Sequence, residues 1–177
     1  MRYAGMIKND VASAPGVCVS FFTQGCPFHC KNCHNPETWD YNGGHLFTYK
    51  TMNELIDAIR ANDIQRNLCI VGGEPLCDEN IPLVFKIVKA IKQEFPTIKI
   101  TIWSGYTWEQ LYSHMADNFK LKYILKNIDY LVDGKYIDEL RDITLYMRGS
   151  KNQRILDMKK TLVDNSPYEV DYGEVYK

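Results

Sequence analysis

Three cysteines, Cys26, Cys30 and Cys33, follow one another as Cys-x3-Cys-x2-Cys inside the stretch FFTQGCPFHCKNCHNPETW. Three thiolates on one tight loop can hold three corners of a metal cluster. A four-iron, four-sulfur cube is normally closed by four protein thiolates, so a set of three leaves one iron open to a small molecule. The spacing equally permits a structural zinc knuckle with Cys18 or His34 as its fourth ligand. From the loop alone both remain open.

The elements that must position this loop can be read from periodicity. Val17 to Phe22 is a β-branched and aromatic run of strand length that ends at Gln24-Gly25, so the cysteine loop leaves the carboxyl end of a strand. Thr51 and Glu54 have capping-box spacing ahead of a helical stripe of Met52, Leu55, Ile56 and Ile59. Leu68 to Val71 is a short, continuously apolar strand that stops at Gly72-Gly73-Glu74-Pro75. Asn80 can cap a helix carrying Val84, Ile87, Val88, Ile91 and Phe95, which Pro96 ends. Lys99 to Trp103 alternates as a strand up to Ser104-Gly105, and Thr107 with Gln110 opens a further helix. Ile124 and Leu125 fit a turn or a strand start, and Ile128 to Val132 reads as a fourth strand, ending at Asp133-Gly134-Lys135. The first sixteen residues read as irregular.

Strands alternating with helices predict an α/β fold with a parallel sheet and right-handed crossovers. Four such units make an incomplete, open β/α barrel, because a closed eight-unit barrel takes about 250 residues and the chain has 177. In parallel α/β sheets the loops at the carboxyl ends of the strands converge on one face, where ligands bind. The three cysteines, Gly72-Gly73-Glu74, Ser104-Gly105 and Asp133 all occupy such loops. One cavity is therefore expected to see a metal loop, a glycine loop with an acid, a hydroxyl and a carboxylate.

Composition narrows the classes. The length predicts one compact domain. A formal charge of −1, from 21 basic and 22 acidic residues, supplies no general attraction to nucleic acid or an anionic membrane. No apolar stretch approaches the roughly 18 residues of a membrane span, and residues 1–16 lack the apolar core of a signal peptide. A cytoplasmic location is expected, and with it six reduced cysteines rather than a disulfide framework. Cys18, Cys69 and Cys77 read as buried packing residues.

The pairing of Cys-x3-Cys-x2-Cys with Gly-Gly-Glu-Pro after the next strand resembles the radical S-adenosylmethionine superfamily. Across most of residues 1–157 the strings QGCPFHCKNCHNPETWD, VGGEPL, SGYTWEQL, LVDGKY and RGSKNQRILD resemble the glycyl-radical-enzyme activases that serve anaerobic ribonucleotide reductase. The resemblance implies a radical S-adenosylmethionine domain over residues 1–160 and an open barrel of that type. It leaves 161–177, with its acids and tyrosines, as a tail of unassigned structure. It implies that Cys26, Cys30 and Cys33 ligate a [4Fe-4S] cluster and that S-adenosylmethionine chelates the fourth iron. Glu74 with Gly72 and Gly73 would take the methionine ammonium. Asn32, Cys33 and His34 would meet the adenine, mostly through backbone, and Ser104 and Asp133 the ribose or the carboxylate. The chain departs from many superfamily members in having Asn32, not an aromatic residue, before the third cysteine. The implied partners are the reductase as protein substrate and a one-electron donor such as flavodoxin or ferredoxin, with no nucleic acid and no membrane. Two rival readings are an activase of the formate-lyase type and a zinc-stabilised interaction module. The charged string around Arg148, Lys151 and Arg154 fits a solvated turn, reductase docking or cofactor contact.

Overall fold

A computed structural model describes residues 1–170. In chain order the elements are β1 (Arg2–Asp10), β2 (Cys18–Thr23), β3 (His45–Leu46), α1 (Tyr49–Arg60), β4 (Asn67–Gly72) and α2 (Ile81–Glu94). They continue with β5 (Ile100–Trp103), α3 (Trp108–His114), α4 (Phe119–Asn127), β6 (Tyr130–Asp133), β7 (Arg154–Asp157) and α5 (Met158–Asp164). The strands form one seven-stranded sheet in the order β3-β1-β2-β4-β5-β6-β7. The four strands read from the sequence, β2, β4, β5 and β6, are its parallel centre. The flanking β1, β3 and β7 are antiparallel to their neighbours. Among the described residues the sheet stays open, with β3 and β7 at its edges.

Alternation along the central strands divides two interiors. Val19, Phe21, Leu68, Ile70, Ile100, Ile102 and Leu131 join the large core that also takes Leu55, Val84, Ile87 and Ile124 from the helices. Cys18, Cys69, Val71 and Val132 face the other way, into a smaller cluster with Met147, Phe22 and Trp103. Apolar side chains are thus buried on both faces, which is why these strands read as continuous apolar runs. Burying an aliphatic side chain of this kind contributes roughly 1.5–3 kcal/mol.

Several local readings change. The amino-terminal segment is a nine-residue strand, hidden from a period-two reading by irregularities between Tyr3 and Gly5 and between Ile7 and Asp10. The cap of α1 is Thr48, one turn before the expected position, with Thr51 at its third residue closing a reciprocal capping box. Asn80 precedes α2 without a side-chain cap bond; its Nδ2 donates to the carbonyls of Gly25 (3.2 Å) and Glu74 (2.9 Å) instead. Ile124 and Leu125 lie within α4, not in a strand. The Thr107 and Gln110 capping box forms as expected. Beyond Asp157, α5 runs to Asp164, and Tyr168 and Val170 lie along β7, exchanging backbone hydrogen bonds with Asp157 and Ile155. Asp171, Tyr172, Glu174 and Tyr176 of the expected tail lie outside the described residues. No helix among the described residues is long and apolar enough to cross a membrane.

Candidate functional site

A cavity of about 520 Å³ opens on the sheet face away from the helices, over Phe22, Val71 and Trp103. Cys26, Cys30 and Cys33 line it, together with Gly72, Gly73, Glu74, Ser104 and His34. The convergence expected from the strand ends is present for these loops. Asp133 is not among the lining residues, although its neighbour Gly134 is.

The cysteine loop is curled against the segment that follows it. Gly25 has φ +99°, and a Cβ there would meet the Tyr41 ring at 2.2 Å, so only glycine fits. Gly25 N donates to Thr38 O (2.7 Å) and Cys26 N to Trp39 O (3.2 Å). His29 and Asn32 take left-handed conformations, φ +47° and +56°, which bend the chain sharply between the thiols. Burial pushes the Cys26 and Cys30 thiols up. On Cys26 the backbone N–H groups of Phe28 and His29 oppose that rise; on Cys30 the neighbouring Cys33 adds to it and Lys135 opposes it. Asn35 N donates to Cys33 Sγ at 3.4 Å. The amides aimed at these sulfurs favour the thiolates that form when a metal displaces the protons.

Of the two fourth zinc ligands suggested by spacing, His34 lines the cavity with the three thiols, whereas Cys18 is not where it would be needed. Cys18 begins β2 while the loop leaves its other end, a separation of roughly 16 Å at about 3.3 Å per residue. Its Sγ sits 3.7 Å from Ser20 Oγ. No three His, Cys, Asp or Glu side chains among the described residues stand close enough to share a single metal ion. The three thiols instead share the cavity wall.

Glu74 is 1% exposed. Its Oε1 accepts from Leu76 N (2.9 Å) and Ser104 Oγ (2.8 Å), and its Oε2 from Gly105 N (2.6 Å). Burial pushes its carboxyl up to about 7, against the pull of these three donors. The site therefore holds an acid whose charge is costly until a cation arrives. Because the folded value lies above the unfolded one, the stabilisation from protonated Glu74 is complete below about pH 4.5 and is lost as pH rises through 7. Thermal melts of the metal-free protein across pH 4.5–7 should show Glu74→Gln gaining on the parent by about 3 kcal/mol. Parallel curves for the two proteins would remove this account of the acid.

The glycines of this loop make room for the chain's own backbone. A Cβ on Gly73 would lie 2.3 Å from Gly25 O, and one on Gly72 would lie 2.8 Å from Thr23 N and O. Gly73 N donates to Thr23 O (2.9 Å) and Glu74 N to Gly25 O (2.8 Å). The acid loop and the cysteine loop are thereby fastened together, with Asn80 bridging both.

The remaining expected contacts separate. Ser104 lines the cavity and holds Glu74. His34 lines it with its ring edge toward Tyr136, centroids 6.3 Å apart. The Asn32 side chain turns outward and donates to Asp138 Oδ2 at 2.8 Å. Asp133 is fully buried and engaged elsewhere. It accepts from Trp108 N (2.7 Å) and from Arg154 Nε (2.9 Å) and Nη2 (2.5 Å). Arg154 also grips Glu109 at 3.1 and 3.0 Å, holding that carboxyl down at about 2. The charged string divides: Arg148 joins the cavity wall, Arg154 clamps Asp133, and Lys151 pairs with Asp142 at the surface. Met147, Gly149 and Gln153 also line the cavity, and no residue spacing marked them beforehand.

Three thiols and one buried acid thus gather around one cavity. A family model described as a 4Fe-4S single cluster domain matches residues 12–156. Curated relatives named anaerobic ribonucleoside-triphosphate reductase-activating protein align over most of the chain. The relative from Escherichia coli (strain K12) is 33% identical over 154 residues, covering 86% of this chain and 96% of its own. Those from Vibrio cholerae and Enterobacteria phage T4 are each 35% identical, over 88% of this chain and 97% and 93% of theirs. The chain belongs to the family of anaerobic ribonucleoside-triphosphate reductase-activating proteins.

Proposed function

We propose that this chain uses a [4Fe-4S] cluster on Cys26, Cys30 and Cys33 to cleave S-adenosylmethionine reductively and so place a glycyl radical on anaerobic ribonucleotide reductase. The observation that carries the reading is the convergence of three thiols and buried Glu74 on one cavity, with no fourth cysteine at the loop. The bound cofactors supply the electron transfer and the carbon–sulfur cleavage; the protein holds, orients and shields.

Glu74 accepts the methionine ammonium, which offsets the burial that otherwise favours its neutral form. Ser104 and Gly105 N fix the rotamer of that carboxylate. His34, with the backbone of Asn32 and Cys33, borders the place for the adenine. Asp133 acts at one remove, by setting Arg154 and the start of α3. The open sheet, covered by helices on one face and hollow on the other, supports an incomplete radical S-adenosylmethionine barrel. Its unclosed side admits a glycine-bearing loop. A flavodoxin or ferredoxin in the cytoplasm is the proposed electron donor, and no nucleic acid takes part. The names of the relatives favour the ribonucleotide reductase over a formate-lyase-type target.

Anaerobic reconstitution, reduction and addition of S-adenosylmethionine should yield 5′-deoxyadenosine and methionine in equal amounts by liquid chromatography. Tightly bound zinc, no acid-labile sulfide and no nucleoside product would contradict the proposal.

A further inference from the structure

Among the described residues that line the cavity, Glu74 is the one carboxylate and Arg148 the one guanidinium or ammonium group. Arg148 is half-buried. Its Nε is buried without any hydrogen-bond partner, and Nη1 reaches only Gln153 O, at 3.4 Å. A buried guanidinium N–H with no acceptor is costly. The contrast with Arg154, which is fully engaged by two carboxylates, shows that this fold can satisfy an arginine where it needs only structure.

The place of Arg148 is fixed by its neighbours. Met147 is buried at 4% exposure with φ +49°, an uncommon conformation for a residue with a side chain. Gln153 accepts from Gly149 N (2.8 Å) and Ser150 N (3.2 Å) and donates to Gly134 O (3.0 Å). The turn is thus pinned to the end of β6, with the Arg148 guanidinium on the cavity wall and its Nε without a partner.

We propose that Arg148 is the residue that reads the carboxylate of the bound amino-acid moiety, the counterpart of the ammonium read by Glu74. One acid and one base in a single cavity match a zwitterion, and a guanidinium is suited to a carboxylate by its fork of donors. Arg148 is therefore a specificity-determining residue: it selects a ligand that keeps its carboxyl group. The inference rests on the S-adenosylmethionine reading above.

The test compares binding of S-adenosylmethionine and its decarboxylated analogue to reconstituted protein by equilibrium dialysis, for the parent, Arg148→Gln and Arg148→Lys. Iron and sulfide content controls for folding. Arg148→Gln should weaken S-adenosylmethionine about 10- to 100-fold, leave the decarboxylated analogue unchanged, and be partly rescued in Arg148→Lys. Equal weakening of both ligands, or of neither, overturns the assignment. Failure of the parent to bind S-adenosylmethionine at all overturns the cofactor reading itself, a result distinguishable from the other two.

Discussion

Cys30→Ala will fold but will not keep a full cluster. After anaerobic reconstitution its iron and labile sulfide should fall well below the about four of each that a complete cube holds, and the charge-transfer absorbance should be largely lost. The fold should survive because Cys30 is partly exposed and its structural bond, the carbonyl accepting from Cys33 N at 3.1 Å, belongs to the backbone. Cys18→Ala and Cys69→Ala should behave in the opposite way. Both cysteines are fully buried in the smaller core and away from the loop, so these variants should retain iron and lose roughly 1 kcal/mol of stability. A Cys30→Ala protein with full iron would show that the three-thiol set is wrongly drawn.

Arg154→Ala should be among the most destabilising single changes outside the apolar core. It leaves the Asp133 carboxylate, 0% exposed, without its cation, and breaking a buried pair in this way costs about 3–5 kcal/mol. For a domain of this size the melting temperature should fall by roughly 6–20 °C. The combined variant Asp133→Asn with Arg154→Ala should recover a large part of the loss, because the amide oxygen still accepts from Trp108 N and no charge is stranded. A shift below about 2 °C for Arg154→Ala would mean that the clamp contributes little to the fold.

How much of this could be read from the sequence depended on how local each signal was. The four central strands announced themselves by continuous apolar runs ended by glycine, and their shared polarity was enough to bring the cysteines, Glu74 and Ser104 to one cavity. The strand β1 was hidden because its irregular pairing with β2 breaks the alternation. The helix α4 carries Leu121, Ile124 and Leu125 at helical spacing, all buried, and that stripe was the missed signal. Asp133 looked like a ligand because it ends a strand beside other ligands; its true partner lies 21 positions further on, beyond any periodic pattern. Arg148 and Arg154 look alike in the string RGSKNQR, and only the tertiary structure separates a cavity cation from a buried clamp. The glycines before Glu74 were visible, but their reason, the approach of the Thr23 and Gly25 backbone, was not.

The most direct test of the central claim is an electron paramagnetic resonance measurement on reduced, reconstituted protein mixed with S-adenosylmethionine and purified anaerobic ribonucleotide reductase. The account predicts a glycyl-radical signal on the reductase that requires S-adenosylmethionine and disappears with Cys30→Ala. Formation of 5′-deoxyadenosine with no radical on the reductase would contradict it.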